Sequence, residues 1–176
     1  MKLVVCGVSG AGKSTVGRLL ATRLEVPFFD ADDYHPLANI QKMRSGTPLT
    51  DEDRIPWLRR LASLIEQQNS LVLACSALKQ SHREILGIDQ ANVFAVFLQG
   101  SREVIAARMA ERNHEFMPAA LLESQFEALE PPVDCVSVCI DQSPGEICAE
   151  ILDQLPRSGA SAISSYAAPD TPSKTR

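Results

Sequence analysis

Gly7-Val8-Ser9-Gly10-Ala11-Gly12-Lys13-Ser14 follows directly on the apolar run Leu3-Val4-Val5-Cys6. The octet fits GxxxxGK[ST] at every fixed position. It also sits where that motif belongs, between a short buried strand and a helix opening near Ser14. Its glycines let backbone amides turn inward around the β- and γ-phosphates of a nucleotide, and the helix amino terminus adds its positive end. Lys13 supplies a mobile cation, and the Ser14 hydroxyl can coordinate magnesium. A glycine-rich strand-to-helix turn would explain the glycines, but not the complete pattern in this place. The expected ATP contacts are Gly7, Ser9, Gly10, Ala11, Gly12, Lys13, Ser14 and Thr15, with Lys13 also catalytic. Motors, switches and small-molecule kinases share such a loop. No NKxD sequence, which would read guanine, occurs in the chain.

Outward from the loop, apolar runs of strand length recur at Leu3 to Cys6, Val26 to Phe29, Leu71 to Ala74, Val93 to Leu98 and Val136 to Ile140. Each is nearly continuous, as in strands buried on both faces. Between them lie helical periods: Val16, Leu19, Leu20 and Leu24; Trp57, Leu61 and Ile65; Ile105 and Met109; Leu122, Phe126 and Leu129; Ile147, Ile151 and Leu155. The alternation predicts an α/β fold on a parallel, five-stranded sheet. Ser143-Pro144-Gly145-Glu146 predicts an N-cap, a first-turn proline and a capping-box glutamate, and Thr50 with Asp53 a similar arrangement. Residues 1–156 read as one domain. From Arg157 the chain turns rich in Ser, Ala and Pro with no sustained apolar face, so 157–176 reads as a disordered tail.

The 176 residues are 45% hydrophobic and 22% charged, which excludes fibrous and wholly disordered classes. No apolar run exceeds strand length, and Met-Lys-Leu-Val-Val-Cys is too short for a signal segment, so the expectation is a soluble, cytoplasmic protein without membrane contact. The five cysteines include no CxxC pair and sit mostly in apolar stretches, and are expected as buried, reduced thiols. A net charge of −5 disfavours nucleic acid as partner, so an anionic ligand needs a locally basic pocket.

The second predicted strand runs into Phe28-Phe29-Asp30-Ala31-Asp32-Asp33-Tyr34-His35-Pro36. This sets several carboxylates at the carboxyl edge of a sheet, where open α/β folds bind ligands. In an extended segment Asp30 and Asp32 would point the same way. Asp30 is the expected metal partner beside Ser14, and Asp32 the group that orients an acceptor hydroxyl and takes its proton. An acidic loop that only caps a helix reads the same way in isolation. Asp141, after the last strand, resembles a Walker B aspartate but reads better as a turn residue.

Asn39-Ile-Gln-Lys42-Met43-Arg-Ser-Gly46-Thr-Pro48-Leu49-Thr-Asp51-Glu-Asp53-Arg54-Ile-Pro56-Trp57-Leu58 and Ala74-Cys75-Ser76-Ala77-Leu78-Lys79-Gln-Ser-His82-Arg83 closely resemble the motifs of the gluconate kinase family. The resemblance continues through Phe97-Leu98-Gln-Gly100 and Leu121-Leu122-Glu-Ser124-Gln125-Phe126-Glu-Ala-Leu129-Glu130-Pro131, and so spans residues 3–155. It implies ATP- and magnesium-dependent phosphorylation of D-gluconate on its terminal hydroxyl to 6-phosphogluconate. It further implies a three-layer α/β/α fold similar to adenylate and shikimate kinases, a helical substrate insert at about 33–69, a lid at about 112–119 and a homodimer. Gluconate pairs a carboxylate with a polyol, so its pocket needs a cation and several hydrogen-bonding groups. Arg54, Arg83, Lys42, Lys79 and His35 are candidates for the first, with Arg54 and Arg83 set inside family-like strings. Asp32, Asn39 and Ser76 are candidates for the second. His35 reads equally as a structural histidine before Pro36. Arg108 and Arg112, four residues apart on one helix face, resemble the paired lid arginines that neutralise the transferring phosphoryl in related kinases.

Three positions depart from the family pattern: Ala11 stands for a usual serine, Ala31 for a usual glycine, and Glu115 for a usual lid histidine, with His114 before it. The rival expectations are a same-fold kinase for another acceptor, such as shikimate or a nucleoside monophosphate, and a nucleotide-binding module without catalysis.

Overall fold

β1, Lys2–Cys6, is the centre of the sheet. The computed structural model describes residues 1–88, 90, 92–111, 119–133 and 135–156. After β1 come α1 (Lys13–Leu24), β2 (Phe28–Asp30), a 3₁₀ turn (Ala31–Tyr34), α2 (Leu37–Arg44), α3 (Asp51–Gln67) and β3 (Leu71–Ala74). Then follow α4 (Gln80–Ile85), β4 (Val93–Gln99), α5 (Arg102–Glu111), α6 (Ala119–Glu127), β5 (Val136–Cys139) and α7 (Pro144–Gln154). The expected lid at 112–119, apart from Ala119 at the head of α6, and the tail at 157–176 lie outside the described residues.

All strands are parallel, in the order β2-β3-β1-β4-β5. Val4 of β1 pairs with Leu73 on one side and Ala95 on the other. The order reverses direction at β1, and the crevice of an open α/β sheet opens beyond the strand ends at such a switch point. The phosphate-loop octet occupies that place.

Alternation along the strands divides the core into two layers. Leu3 and Val5 face α1 and α7, joining Val16, Leu20, Ile147 and Ile151. Val4 and Cys6 face α3, joining Trp57, Leu58, Leu61 and Ile65. All four residues of β3 are buried, as its unbroken apolar run predicts. Both expected capping boxes form, Thr50 with Asp53 on α3 and Ser143 with Glu146 on α7.

Three local expectations need correcting. The second strand begins at Phe28 instead of Val26, because Glu25 turns left-handed (φ 56°) to end α1 and the Val26 amide still bonds Ala21 O at 3.0 Å. Leu19 belongs to the outer side of α1, at 37% exposure. Cys6, Cys75 and Cys148 are buried free thiols, but Cys135 is half-buried and Cys139 exposed, since β5 is an edge strand with one open flank.

Candidate active site

The loop is rooted by Gly7, whose φ of +137° and close approach to β4 exclude a side chain: a Cβ would lie 2.8 Å from the Leu98 carbonyl oxygen. Its amide donates to Ser76 O at 3.2 Å, tying the loop to the end of β3. Gly12, at φ 95°, is the N-cap of α1 and offers no side-chain cap. The first amides of that helix are thus left for a ligand. Ala11 is fully buried behind the loop, so the missing hydroxyl of the family's serine removes nothing from the cleft. Lys13 folds its ammonium onto Val8 O at 3.0 Å. Burial pulls its pKa down, while Asp32 and then Asp30 pull it back.

A cleft of about 680 Å³ opens over this loop, within the range of small-molecule sites. Ser9, Gly10, Gly12, Lys13, Ser14 and Thr15 form one wall. Gly7 and Ala11 support that wall from behind.

Asp30 and Asp32 enter the same cleft, although not through an extended strand. The chain turns into the 3₁₀ helix at Ala31 because Asp30 caps it, accepting the Asp32 amide at 3.2 Å through Oδ1. Ala31 needs no positive φ there, which is why alanine can stand for glycine. The other Asp30 oxygen accepts the Ser14 hydroxyl at 2.6 Å. A hydroxyl and a carboxylate side by side are hard donors suited to magnesium. Among the described residues no group of three or more His, Cys, Asp or Glu could hold a metal alone. A magnesium ion at this pair therefore fits as one completed by phosphate and water oxygens. Partial desolvation against the cleft, and then the adjacent Asp30 carboxylate, raise the Asp32 pKa from its ordinary value, with Lys13 opposing. Its side chain is 88% exposed, so it is open to an incoming hydroxyl.

Trp57 braces this acidic turn, donating Nε1–H to Ala31 O at 2.8 Å. His35 stacks on Trp57 with centroids 4.2 Å apart and places Nε2 3.9 Å from Asp32. Burial, then the charge of Arg54, lowers His35 to about 4, so it is neutral at physiological pH. Cys75 also lines the cleft, but burial pushes its thiol up to about 12, which rules it out as a nucleophile.

The basic candidates separate. Arg54 lines the cleft, with a guanidinium nitrogen on Leu49 O and another contact to Asp51 at 3.9 Å. Lys42 is clamped on Asp53 at 2.7 Å and Lys79 on Asp51 at 2.7 Å, and neither reaches the cleft. Arg83 is 3% exposed and directs its guanidinium to the carbonyls of Ala77 and Leu78 and to Gln80. It fixes the β3–α4 turn and is not brought to the cleft. Asn39, also buried, donates to Asp53 O at 2.9 Å, whereas Ser76 lines the cleft. Arg108 donates to Ile140 O and does not line the cleft, and Arg112 lies outside the described residues, as do His114 and Glu115.

Arg44 and Gln125 are polar cleft residues that escaped the sequence reading. Arg44 shares a face of α2 with Ile40 and Met43, all three lining the cleft. That i, i+3, i+4 spacing was the available signal. Gln125 of α6 bonds Ser9 across 116 positions of chain, and no local pattern announces it.

The family model for shikimate kinase matches residues 9–156. A probable gluconokinase of Mus musculus is 44% identical over 87% of this chain and 96% of its own. The thermosensitive gluconokinase of Escherichia coli K12 is 47% identical over 73% of this chain and 71% of its own. Among solved structures, a gluconokinase from Sinorhizobium meliloti 1021 superposes with a TM-score of 0.80 at 44% identity, covering 86% of this chain and 89% of that one.

Proposed function

The chain belongs to the shikimate kinase family and, within it, to the gluconokinases, and from that premise we propose that it moves the γ-phosphoryl group of ATP to the terminal hydroxyl of D-gluconate. The observation that carries the reading is a single cleft in which the phosphate loop, the Asp30–Asp32 pair and Arg54 converge. Phosphoryl transfer asks for little else, since its catalysis is mainly positioning and charge stabilisation.

The loop amides and Lys13 hold the phosphates, for which Lys13 must leave the Val8 carbonyl. Ser14 and Asp30 would hold magnesium, which offsets negative charge on the phosphate oxygens when bound. Asp32 orients the terminal hydroxyl and takes its proton as the oxygen bonds to phosphorus and the bond to the β-phosphate oxygen breaks, releasing ADP. A carboxylate with a raised pKa suits this task better than an ordinary one. Arg54 is the cation in place for the gluconate carboxylate, with Arg44 as second candidate, and His35 and Ser76 are positioned for hydroxyls. Arg108 would have to give up the Ile140 carbonyl to reach a phosphate. The reading also carries a cytoplasmic homodimer, whose assembly sedimentation of the purified protein would test. No helix among the described residues is long and apolar enough to cross a membrane.

The test is ATP consumption with gluconate, shikimate, glucose or no acceptor. The reading requires turnover with gluconate and little with neutral glucose, which lacks the carboxylate. Equal turnover of glucose and gluconate, or preference for shikimate, would overturn it.

A further inference from the structure

Gln125 closes a two-point clamp on the phosphate loop. Its Oε1 accepts the Ser9 amide at 2.8 Å, and its Nε2 donates to Ser9 Oγ at 3.0 Å. A carboxamide supplies an acceptor and a donor side by side in this way, whereas an ionised carboxylate only accepts. The pairing settles the amide orientation and also the hydroxyl: Ser9 Oγ accepts from Gln125, so it keeps its own proton to donate. No acceptor among the described residues takes that proton, and both side chains line the cleft.

The clamp sits at the least supported part of the loop. Gly7 is held by Ser76 O, and Val8 and Ala11 bond each other. Gly12 leads into α1. Between these, Gly10 is covered by Met109 of α5, whose Cγ would lie 2.8 Å from a Cβ built there. Ser9 has its amide and its hydroxyl oxygen both fixed by α6. An unclamped Ser9 amide and rotor would have to be ordered by the nucleotide itself, which weakens binding.

Resting on the kinase reading above, we propose that Gln125 is a positioning residue of the reaction, holding Ser9 so that its hydroxyl donates to the nucleotide phosphates. It acts through Ser9 and does not itself touch the transferring group.

The experiment is calorimetric titration of a non-hydrolysable ATP analogue, with magnesium, into the full chain and into Ser9→Ala, Gln125→Ala and the double variant. Melting temperatures and steady-state kinetics accompany it. Gln125→Met, similar in size but apolar, serves should the alanine variant not fold. The titration needs no acceptor, so it reads Gln125 independently of whether gluconate is the substrate. We expect each single variant to weaken nucleotide binding about five- to thirtyfold, the double to fall within about twofold of the weaker single, and KM for ATP to rise while KM for gluconate holds. Losses that multiply in the double variant, or a Gln125 variant with a lowered melting temperature and unchanged nucleotide affinity, would overturn the proposal.

Discussion

Replacing Trp57 by phenylalanine tests how the acidic turn is held. Trp57 is 3% exposed, and the Ala31 residue whose carbonyl it satisfies is 1% exposed. Phenylalanine keeps a ring against His35 but removes the N–H, leaving a buried carbonyl without its partner at about 1–3 kcal/mol. The missing pyrrole edge adds a small cavity worth about 1 kcal/mol. The sum, about 2–4 kcal/mol, corresponds to roughly 4–16 °C in melting temperature for a chain of this size. The turn it loosens carries Asp30 and Asp32, and a displacement on the order of 1 Å at a reacting group can lower a rate by about 10²-fold. We therefore expect kcat to fall at least about tenfold, with KM for ATP moving less because the ends of β1, β3 and β4 root the loop separately. Trp57 is the sole tryptophan, so melting must be followed by far-ultraviolet circular dichroism instead of indole fluorescence. A variant with unchanged kcat would refute the claim that Trp57 positions the carboxylates, and unchanged melting would show that its hydrogen bond to Ala31 adds no stability.

Lys13→Ala should abolish turnover while circular dichroism reports an intact fold, and near-native activity would remove the loop from the mechanism. Asp32→Asn should lower kcat by about two orders of magnitude with little change in ATP affinity; an equal loss of ATP binding would make it a metal or structural residue. Arg54→Ala should raise KM for gluconate about ten- to a hundredfold, the loss of one charge-assisted contact, whereas Arg83→Ala should chiefly lower the melting temperature; the reverse ranking would relocate the carboxylate site. His35 is held neutral down to about pH 4 against 6.5 for a free histidine, by burial and then by Arg54. The unfolded chain therefore binds a proton in that window that the folded chain refuses, and stability falls as pH drops from 6.5 to 4. His82, also lowered by burial, acts in the same direction. Urea titrations of His35→Gln should show a profile flatter by up to about 1.4 kcal/mol per pH unit, and an unchanged slope would count against a buried neutral His35.

The sheet was legible because its inner strands β1, β3 and β4 are largely buried on both faces, so continuous runs such as Leu71 to Ala74 had no competing helical period. The loop was legible because its glycines answer to backbone requirements visible in one octet. The acidic turn was half legible: Asp30 and Asp32 both line the cleft, but Asp30 rolls the chain into a 3₁₀ helix through a side-chain cap that alternation cannot anticipate. The basic residues were the least legible. Arg54, Arg83, Lys42 and Lys79 look alike in sequence, and what separates them is the acceptor each meets: Asp51 or Asp53 from another element, or a backbone carbonyl of the preceding turn. Gln125 was invisible for the same reason, since its meaning lies entirely in Ser9.

The most direct measurement is a ³¹P NMR time course of the purified chain with ATP, magnesium and gluconate. The γ-phosphate signal should disappear, matched one for one by ADP and by a phosphomonoester on the terminal carbon of gluconate, with no reaction in Lys13→Ala. Inorganic phosphate in place of the ester, or an ester on any other hydroxyl, would contradict transfer to the terminal hydroxyl.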